Sequence, residues 1–182
     1  MLTVGDRFPA FSLEALASRD PHRATLRLTE QDYPGRWKAW FAWPNDFTPV
    51  CPTEILSFGE HHEDFLDHDC EVLGFSIDSI HVHRAWRRAQ PELLDLPFPL
   101  VADPRRELAT ALGILHPTEG VCLRATFLVA PDGVIRWACA HDLRVGRNVD
   151  EVLRVLAALQ AGGLCRCGWE PGDPFLTLDE GP

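Results

Sequence analysis

The sequence predicts an α/β fold: a central mixed β-sheet flanked by helices. Three observations predict it. Short apolar runs alternate along the chain with helix-length segments, as in layered folds whose strands are covered on both faces. A strand–turn–strand pattern late in that alternation supplies an antiparallel pair, so the sheet is mixed. Finally, 182 residues, 46% of them hydrophobic, suffice for one compact core, and no repeat, low-complexity segment or linker divides them.

The elements follow in chain order. Residues 37–43, Trp-Lys-Ala-Trp-Phe-Ala-Trp, read as a buried strand, and residues 53–66 as a helix. Residues 72–77, Val-Leu-Gly-Phe-Ser-Ile, read as a strand buried on both faces. Asp78-Ser79 then offers a cap for a helix to about Ala89. Residues 98–102 read as a short strand. Asp103 at N-cap and Pro104 at N1 open a helix that stops at Gly113. Residues 125–129, the turn Pro131-Asp132-Gly133 and residues 134–138 form a hairpin. Asn148 or its neighbour caps a last helix over 149–161, where Val152, Leu153, Leu156 and Leu159 keep helical spacing. Residues 94–99 and 116–120 are loops. From Gly162 onward the chain is rich in Gly and Pro and reads as an extended tail.

The net charge of −10 and pI near 5.2 argue against nucleic acid or an anionic membrane surface as partner. The sequence has no apolar run of membrane-spanning length, and residues 1–9 lack the basic and apolar regions of a signal peptide. The expectation is a cytoplasmic protein. In a reducing compartment its six cysteines are not a disulfide framework. Cys70, Cys122 and Cys139 lie in or beside apolar runs and read as buried and inert. No C-x-x-C pair is present, which argues against a zinc ribbon or a thioredoxin-type dithiol. His61-His62 with Glu63-Asp64, and His81-x-His83, read as helix-face or structural residues and not as metal ligands, because adjacent helical residues point about 100° apart.

The richest segment is Pro44-Asn-Asp-Phe-Thr48-Pro-Val-Cys51-Pro-Thr-Glu54. Cys51 stands at the seam of strand and helix, where unpartnered backbone N–H groups favour an anion and hence a thiolate. A thiolate is a nucleophile. The alternative is a small buried hydrophobe, and three neighbours weigh against it. Thr48, three residues earlier, can turn its hydroxyl toward the sulfur or a substrate oxygen. Pro44 and Pro52 stiffen the segment and define the first helical turn. Glu54 can orient a cation from elsewhere in the chain.

The string Pro44-x-x-x-Thr48-x-x-Cys51 resembles the peroxiredoxin active-site motif. The longer run from Asp46 to Glu54 is similar to the alkyl hydroperoxide reductase C / thiol-specific antioxidant branch. Four further segments resemble that branch in the right order: Ser76-Ile-Asp78 with His83 and Trp86; Leu123-Arg124-Ala-Thr-Phe-Leu; Asp142-Leu-x-Val-Gly146-Arg147; and Leu164-Cys165-x-x-x-Trp169-x-Pro171-Gly172. The resemblance covers nearly the whole chain and implies a thioredoxin-like fold, with a peroxiredoxin domain over 1–161 and a tail over 162–182 that carries the resolving cysteine.

It also implies a chemistry. Cys51 attacks the terminal oxygen of hydrogen peroxide or an organic hydroperoxide and becomes a sulfenic acid. Arg124 lies near sulfur and peroxide, lowers the cysteine pKa and polarises the O–O bond. Thr48 holds the peroxide in line, the Pro44 ring shields the thiolate, Glu54 positions Arg124, and Arg147 completes the polar cluster. Cys165 of the partner subunit resolves the sulfenic acid as an intersubunit disulfide, which requires a homodimer and unwinding of the first turn of the Cys51 helix. The family also builds decamers from such dimers. The electron donor is thioredoxin or a dedicated disulfide reductase. No cofactor and no metal are implied.

The sequence departs from the pattern at several points. Arg166 and an extra Cys167 follow Cys165, where the family usually has Pro. Cys167 reads as a second resolver, a relay to the reductant, or a neutral substitution. Trp43 stands where Tyr is common. No Gly-Gly-Leu-Gly motif lies between Trp86 and Phe98, and no Tyr-Phe pair follows Trp169; the family associates both features with easy overoxidation. Two alternatives stand beside the two-cysteine reading: a one-cysteine peroxiredoxin, and a peroxide sensor or holdase on the same fold.

Overall fold

Strand order in the computed structural model, which describes residues 1–17 and 25–178, is β2-β1-β5-β4-β3-β6-β7 in one seven-stranded mixed sheet. The strands are β1 Ser12–Leu16, β2 Thr25–Thr29, β3 Trp37–Ala42, β4 Cys70–Ser76, β5 Leu100–Ala102, β6 Arg124–Val129 and β7 Ile135–His141. β3, β4 and β5 run parallel at the centre; β1–β2, β1–β5, β3–β6 and β6–β7 are antiparallel. Helices α1 Cys51–Glu60, α2 His62–Asp67, α3 Ile80–Ala89, α4 Glu107–Leu112 and α5 Val149–Ala161 complete the fold. None of the described helices is long and apolar enough to cross a membrane.

The period-2 alternation of β3 divides the core. Ala39, Phe41 and Trp43 project into one cluster with Ile55, Phe58, Trp86, Phe98 and Leu156, so α1, α3 and α5 cover that face. Trp40 and Ala42 project into the other, with Phe8, Phe75, Phe127, Leu108 and Leu112. Phe41 stacks on Phe58 of α1, with ring centroids 4.1 Å apart. Gly74 of β4 makes this packing fit: a Cβ there would stand 2.7 Å from the Phe41 ring and 2.8 Å from the Trp43 ring.

Helix boundaries show where local chemistry acts. As expected, the Ser79 side chain caps α3 by accepting from Val82 N–H, and Asn148 caps α5 by accepting from Asp150 and Glu151 N–H. Gly113, with φ +67°, closes α4. Three expectations need correction. Asp103 does not stand at the N-cap with Pro104 at N1: α4 starts at Glu107, after Arg106 in the left-handed region (φ +57°). The Asp103 carboxylate still receives Glu107 and Ala109 N–H, both at 2.8 Å, by reaching across the intervening turn. The helix over 53–66 is two helices, because His61 leaves helical geometry (φ −93°, ψ 11°) and its ring Nδ1 lies 2.9 Å from Ser57 O. β1 and β2 lie in a stretch to which the sequence reading assigned nothing. Leu13/Ala15 and Leu26/Leu28 carry the alternation that marks them.

Beyond Gly162 the described residues form no further helix or strand, but they fold back instead of running on as the extended tail that composition predicts: Leu176 N–H donates to Leu164 O. The tail adds packing that composition did not reveal: Trp169 is 3% exposed.

Candidate active site

Cys51 is the first residue of α1 and is fully buried. The strand that precedes it, β3, ends at Ala42, and residues 43–50 bridge the two. The first half of this bridge is pinned. The Trp43 indole N–H donates to Asp46 Oδ1 at 2.8 Å, and the Asp46 backbone N–H donates to Asp78 Oδ2 at 2.8 Å. His83 of α3 lies with Nδ1 2.7 Å from Asp46 Oδ2 and Nε2 3.2 Å from Val101 O, both inside the core. Burial pushes the Asp46 carboxyl up from its usual range, while the His83 contact opposes that rise. The second half carries fewer ties. Phe47 sits at φ +57° and is 59% exposed, and the Thr48 hydroxyl donates to Asn45 O at 3.0 Å. Pro44 is buried. Beside the loop opens a cavity of about 540 Å³ lined by loop residues 47–49, Pro52, Trp86, Ala89 and Gln90.

Two arginines and one carboxylate meet over Cys51. Arg124 opens β6, is 3% exposed, and donates from Nη1 to Cys51 Sγ at 3.3 Å. The same Nη1 lies 2.5 Å from Glu54 Oε2, and Arg124 Nε donates to Leu143 O at 2.8 Å. The planar guanidinium is thus held along two directions while its third presses on sulfur. Arg147 donates to Glu54 Oε1 from Nε at 2.9 Å and from its backbone N–H at 3.0 Å, and to Oε2 from Nη2 at 3.0 Å. Its Nη1 donates to Ala125 O at 2.9 Å, and its guanidinium carbon lies 5.2 Å from the Phe41 ring centroid. One buried carboxylate therefore orders two buried guanidiniums. Such an arrangement places fixed positive charge beside a sulfur atom from which water is excluded, where charge developing on a bound oxygen is stabilised most strongly.

Of the residues singled out in the sequence, Cys51, Arg124, Glu54 and Arg147 form one connected chain of contacts in that order, and Pro44 and Thr48 belong to the loop before Cys51. The Thr48 hydroxyl faces a backbone carbonyl, not the sulfur. Within the chain, Cys165 and Cys167 are not brought to Cys51: Cys165 Sγ lies 3.6 Å from Gly163 O and 3.9 Å from Ala158 O, and Cys167 is exposed. Cys70 and Cys122 are buried; burial pushes the Cys122 thiol up to about 12 and the Cys70 thiol higher still. Cys139 is only half-buried, not enclosed as expected, because it lies on β7 at the sheet edge. Sequence reading missed the Leu143 carbonyl that orients Arg124 and the Asp46–His83–Trp43 group that anchors the loop. The first has no side-chain signature; in the second, Asp46 and His83 stand 37 residues apart and nothing in the sequence links them. His61 Nε2 lies 3.2 Å from Asp150 Oδ1, a helix-to-helix contact between α1 side and α5.

Comparison with known proteins gives the family. A family model described as AhpC/TSA family matches residues 4–138. The chain is similar to alkyl hydroperoxide reductase C of Mycolicibacterium smegmatis, 47% identical over 99% of this chain and 96% of that protein. It is 38% identical to the chloroplastic 2-Cys peroxiredoxin BAS1 of Hordeum vulgare, over 97% of this chain and 86% of that one. Among solved structures it is similar to Mycobacterium bovis AhpC, with TM-score 0.86 and 44% identity, covering 93% of this chain and 99% of the other. The Plasmodium vivax 2-Cys peroxiredoxin in its reduced form aligns with TM-score 0.88 and 27% identity, over 96% and 93% of the two chains. A thioredoxin-like sheet with a buried helix-first cysteine under an oriented guanidinium defines a thiol peroxidase, an oxidoreductase that works through sulfur. The chain belongs to the AhpC/TSA family of peroxiredoxins.

Proposed function

We propose that this peroxidase reduces hydrogen peroxide and organic hydroperoxides through Cys51 and is resolved by Cys165 of a partner subunit. The Cys51 thiolate attacks the terminal peroxide oxygen; the O–O bond breaks, and the leaving alkoxide or hydroxide takes a proton and departs as alcohol or water. Cys51 is left as sulfenic acid. The partner's Cys165 thiol then attacks that sulfur, expelling water and forming an intersubunit disulfide. A dithiol reductant, thioredoxin or a dedicated disulfide reductase, returns both thiols by exchange. The chain acts as a homodimer, alone or in a ring of dimers, in the cytoplasm, where such reductants operate.

The observation that carries this reading is the contact of Arg124 Nη1 with buried Cys51 Sγ at 3.3 Å, fixed by Glu54 and Leu143 O. Arg124 polarises the peroxide bond, Glu54 and Arg147 hold Arg124, Pro44 shields the sulfur, and Thr48 turns from Asn45 O to the peroxide when substrate enters. Because Cys51 is fully buried, the first turn of α1 unwinds before its sulfur meets Cys165.

The test is non-reducing electrophoresis after one equivalent of hydrogen peroxide. A dimer band lost in Cys51→Ser and Cys165→Ser but kept in Cys167→Ser supports the reading. A band lost only in Cys167→Ser moves the resolving role to Cys167. No band in the wild type, with Cys51 oxidised, replaces it with a one-cysteine cycle.

A further inference from the structure

The tail that carries the two remaining thiols closes on itself. Leu176 N–H donates to Leu164 O at 2.8 Å, so residues 164–176 form a loop with its ends together. Its interior is filled by its own side chains, the mark of an Ω-loop. Trp169 is the buried centre. Its ring stacks on Phe175 with centroids 5.8 Å and planes 9° apart. Its indole N–H donates to Asp173 O at 3.1 Å, and Arg154 of α5 donates to Trp169 O at 3.0 Å. The Asp173 carboxylate accepts from Arg166 Nη2 at 2.8 Å and from Glu170 N–H at 3.1 Å.

Phe175 makes a second contact. Its ring rests on Gly163, where a Cβ would stand 2.3 Å from the nearest ring carbon. No side chain fits between them, so Gly163 is demanded by this contact and not by a turn. Trp169, Phe175 and Gly163 together make a clasp that ties the end of the loop to its beginning. Cys165 and Cys167 lie inside the clasped span, on either side of Arg166, whose guanidinium is held by Asp173.

We propose that the Trp169–Phe175–Gly163 clasp is a positioning device for the resolving step, presenting Cys165 on a preformed loop. This rests on the reading of Cys165 as the resolving thiol. The residues are those of a flexible chain: Gly162, Gly163, Gly168 and Gly172 with Pro171 and Pro174. Unclasped, they would dilute the thiol over many conformations and lower its effective concentration at the Cys51 sulfenic acid. Clasped, only a few positions remain to be ordered when the disulfide forms. The bond made is Cys51–Cys165 S–S, the bond broken is S–OH, and the Cys165 proton leaves with the hydroxyl as water.

The experiment separates the two half-reactions by rapid mixing with hydrogen peroxide. Phe175→Ala removes the stack, Gly163→Val drives the ring away from the other side, and Phe175→Trp keeps an aromatic face. Phe175 is 44% exposed, so Phe175→Ala folds, and circular dichroism verifies it. Sulfenic acid formation, read from its dependence on peroxide concentration, is expected to be unchanged in all three. Disulfide formation, independent of peroxide concentration, is expected to be about tenfold slower in Phe175→Ala and Gly163→Val and close to wild type in Phe175→Trp. The peroxide dose that converts half of Cys51 to sulfinic acid should fall in step. Disulfide formation at or above the wild-type rate in Phe175→Ala overturns the proposal, because the clasp would then be inert or would hold Cys165 back. A wild-type protein that forms no Cys165 disulfide overturns the resolving role itself, before any variant is compared.

Discussion

Glu54→Gln is the sharpest probe of the site. The Glu54 carboxylate accepts four N–H groups: Arg147 N and Nε on Oε1, and Arg124 Nη1 and Arg147 Nη2 on Oε2. Glutamine keeps the shape and removes the charge. Whichever way its amide is turned, the NH₂ confronts two donors and can accept from neither. Two guanidiniums, each 3% exposed, lose their shared counter-charge. Removing one partner of a buried ion pair costs about 3–5 kcal/mol. Leu143 O and Ala125 O still receive one N–H from each arginine, so we place the loss near the lower end, about 3 kcal/mol. In a domain of this size that lowers Tm by on the order of 10 °C. The chemical effect is separate. Losing an anion leaves more positive charge beside the sulfur, which by itself favours an anion there. A slower reaction with peroxide therefore reports lost orientation of Arg124, not lost charge. Loss of one oriented donor slows such steps by about 10²–10³-fold. Stopped-flow tryptophan fluorescence, well below Tm, measures the second-order constant for hydrogen peroxide. A constant within about threefold of wild type, with Tm already lowered, would refute the claim that Glu54 acts through Arg124.

Three further outcomes follow from the same structure. Arg124→Lys leaves a point charge that cannot reach Leu143 O while also contacting Cys51 and Glu54, so peroxide reactivity should fall by about 10²-fold with helix content unchanged; near-normal reactivity would mean that charge alone suffices. Gly74→Ala places a methyl 2.7 Å from Phe41, which is stacked on Phe58, and 2.8 Å from Trp43, whose indole is tied to Asp46, and should lower the urea midpoint by an amount equivalent to about 1–3 kcal/mol; an unchanged midpoint would show that the aromatic layer yields. Burial raises the Cys122 thiol to about 12, above the ~8.5 of an unfolded cysteine. The folded state thus holds this proton more tightly, so the contribution is fully present below about pH 8.5 and is lost as pH rises toward 12. Between about pH 8 and pH 10.5 the wild type should lose more stability than Cys122→Ala, by roughly 2 kcal/mol; equal losses would exclude Cys122 as a source.

The parts of this molecule legible in the sequence are those whose information is local. β3, β4 and the β6–β7 hairpin announce themselves through continuous apolar runs and the Pro131-Asp132-Gly133 turn. β1 and β2 escaped notice because each is five residues long, with outward charges at Glu14 and Arg27, and residues 17–24 separate them in the sequence. The break at His61 was hidden for another reason: no proline interrupts residues 53–66, and only the ring contact with Ser57 O and the change of backbone angles mark it.

The site divides along the same line. Cys51 and Glu54 are a helical turn apart and readable together. Arg124 and Arg147 lie 70 and 93 residues from Glu54 and were found through resemblance, since a lone arginine before a strand looks like an edge residue. What brings them in is topology. β6 lies beside β3 in the sheet, so the start of one strand meets the end of the other, and the chain leaving β3 delivers Cys51 to that point. The residues linking β7 to α5 pass the same corner, supplying Leu143 O to one arginine and the second arginine itself. A backbone carbonyl has no identity in a sequence. Its role exists only once two distant segments are adjacent. The tail repeats the point: Gly163 looked like one more flexible residue, and its missing side chain lets Phe175 close the loop that carries the two thiols.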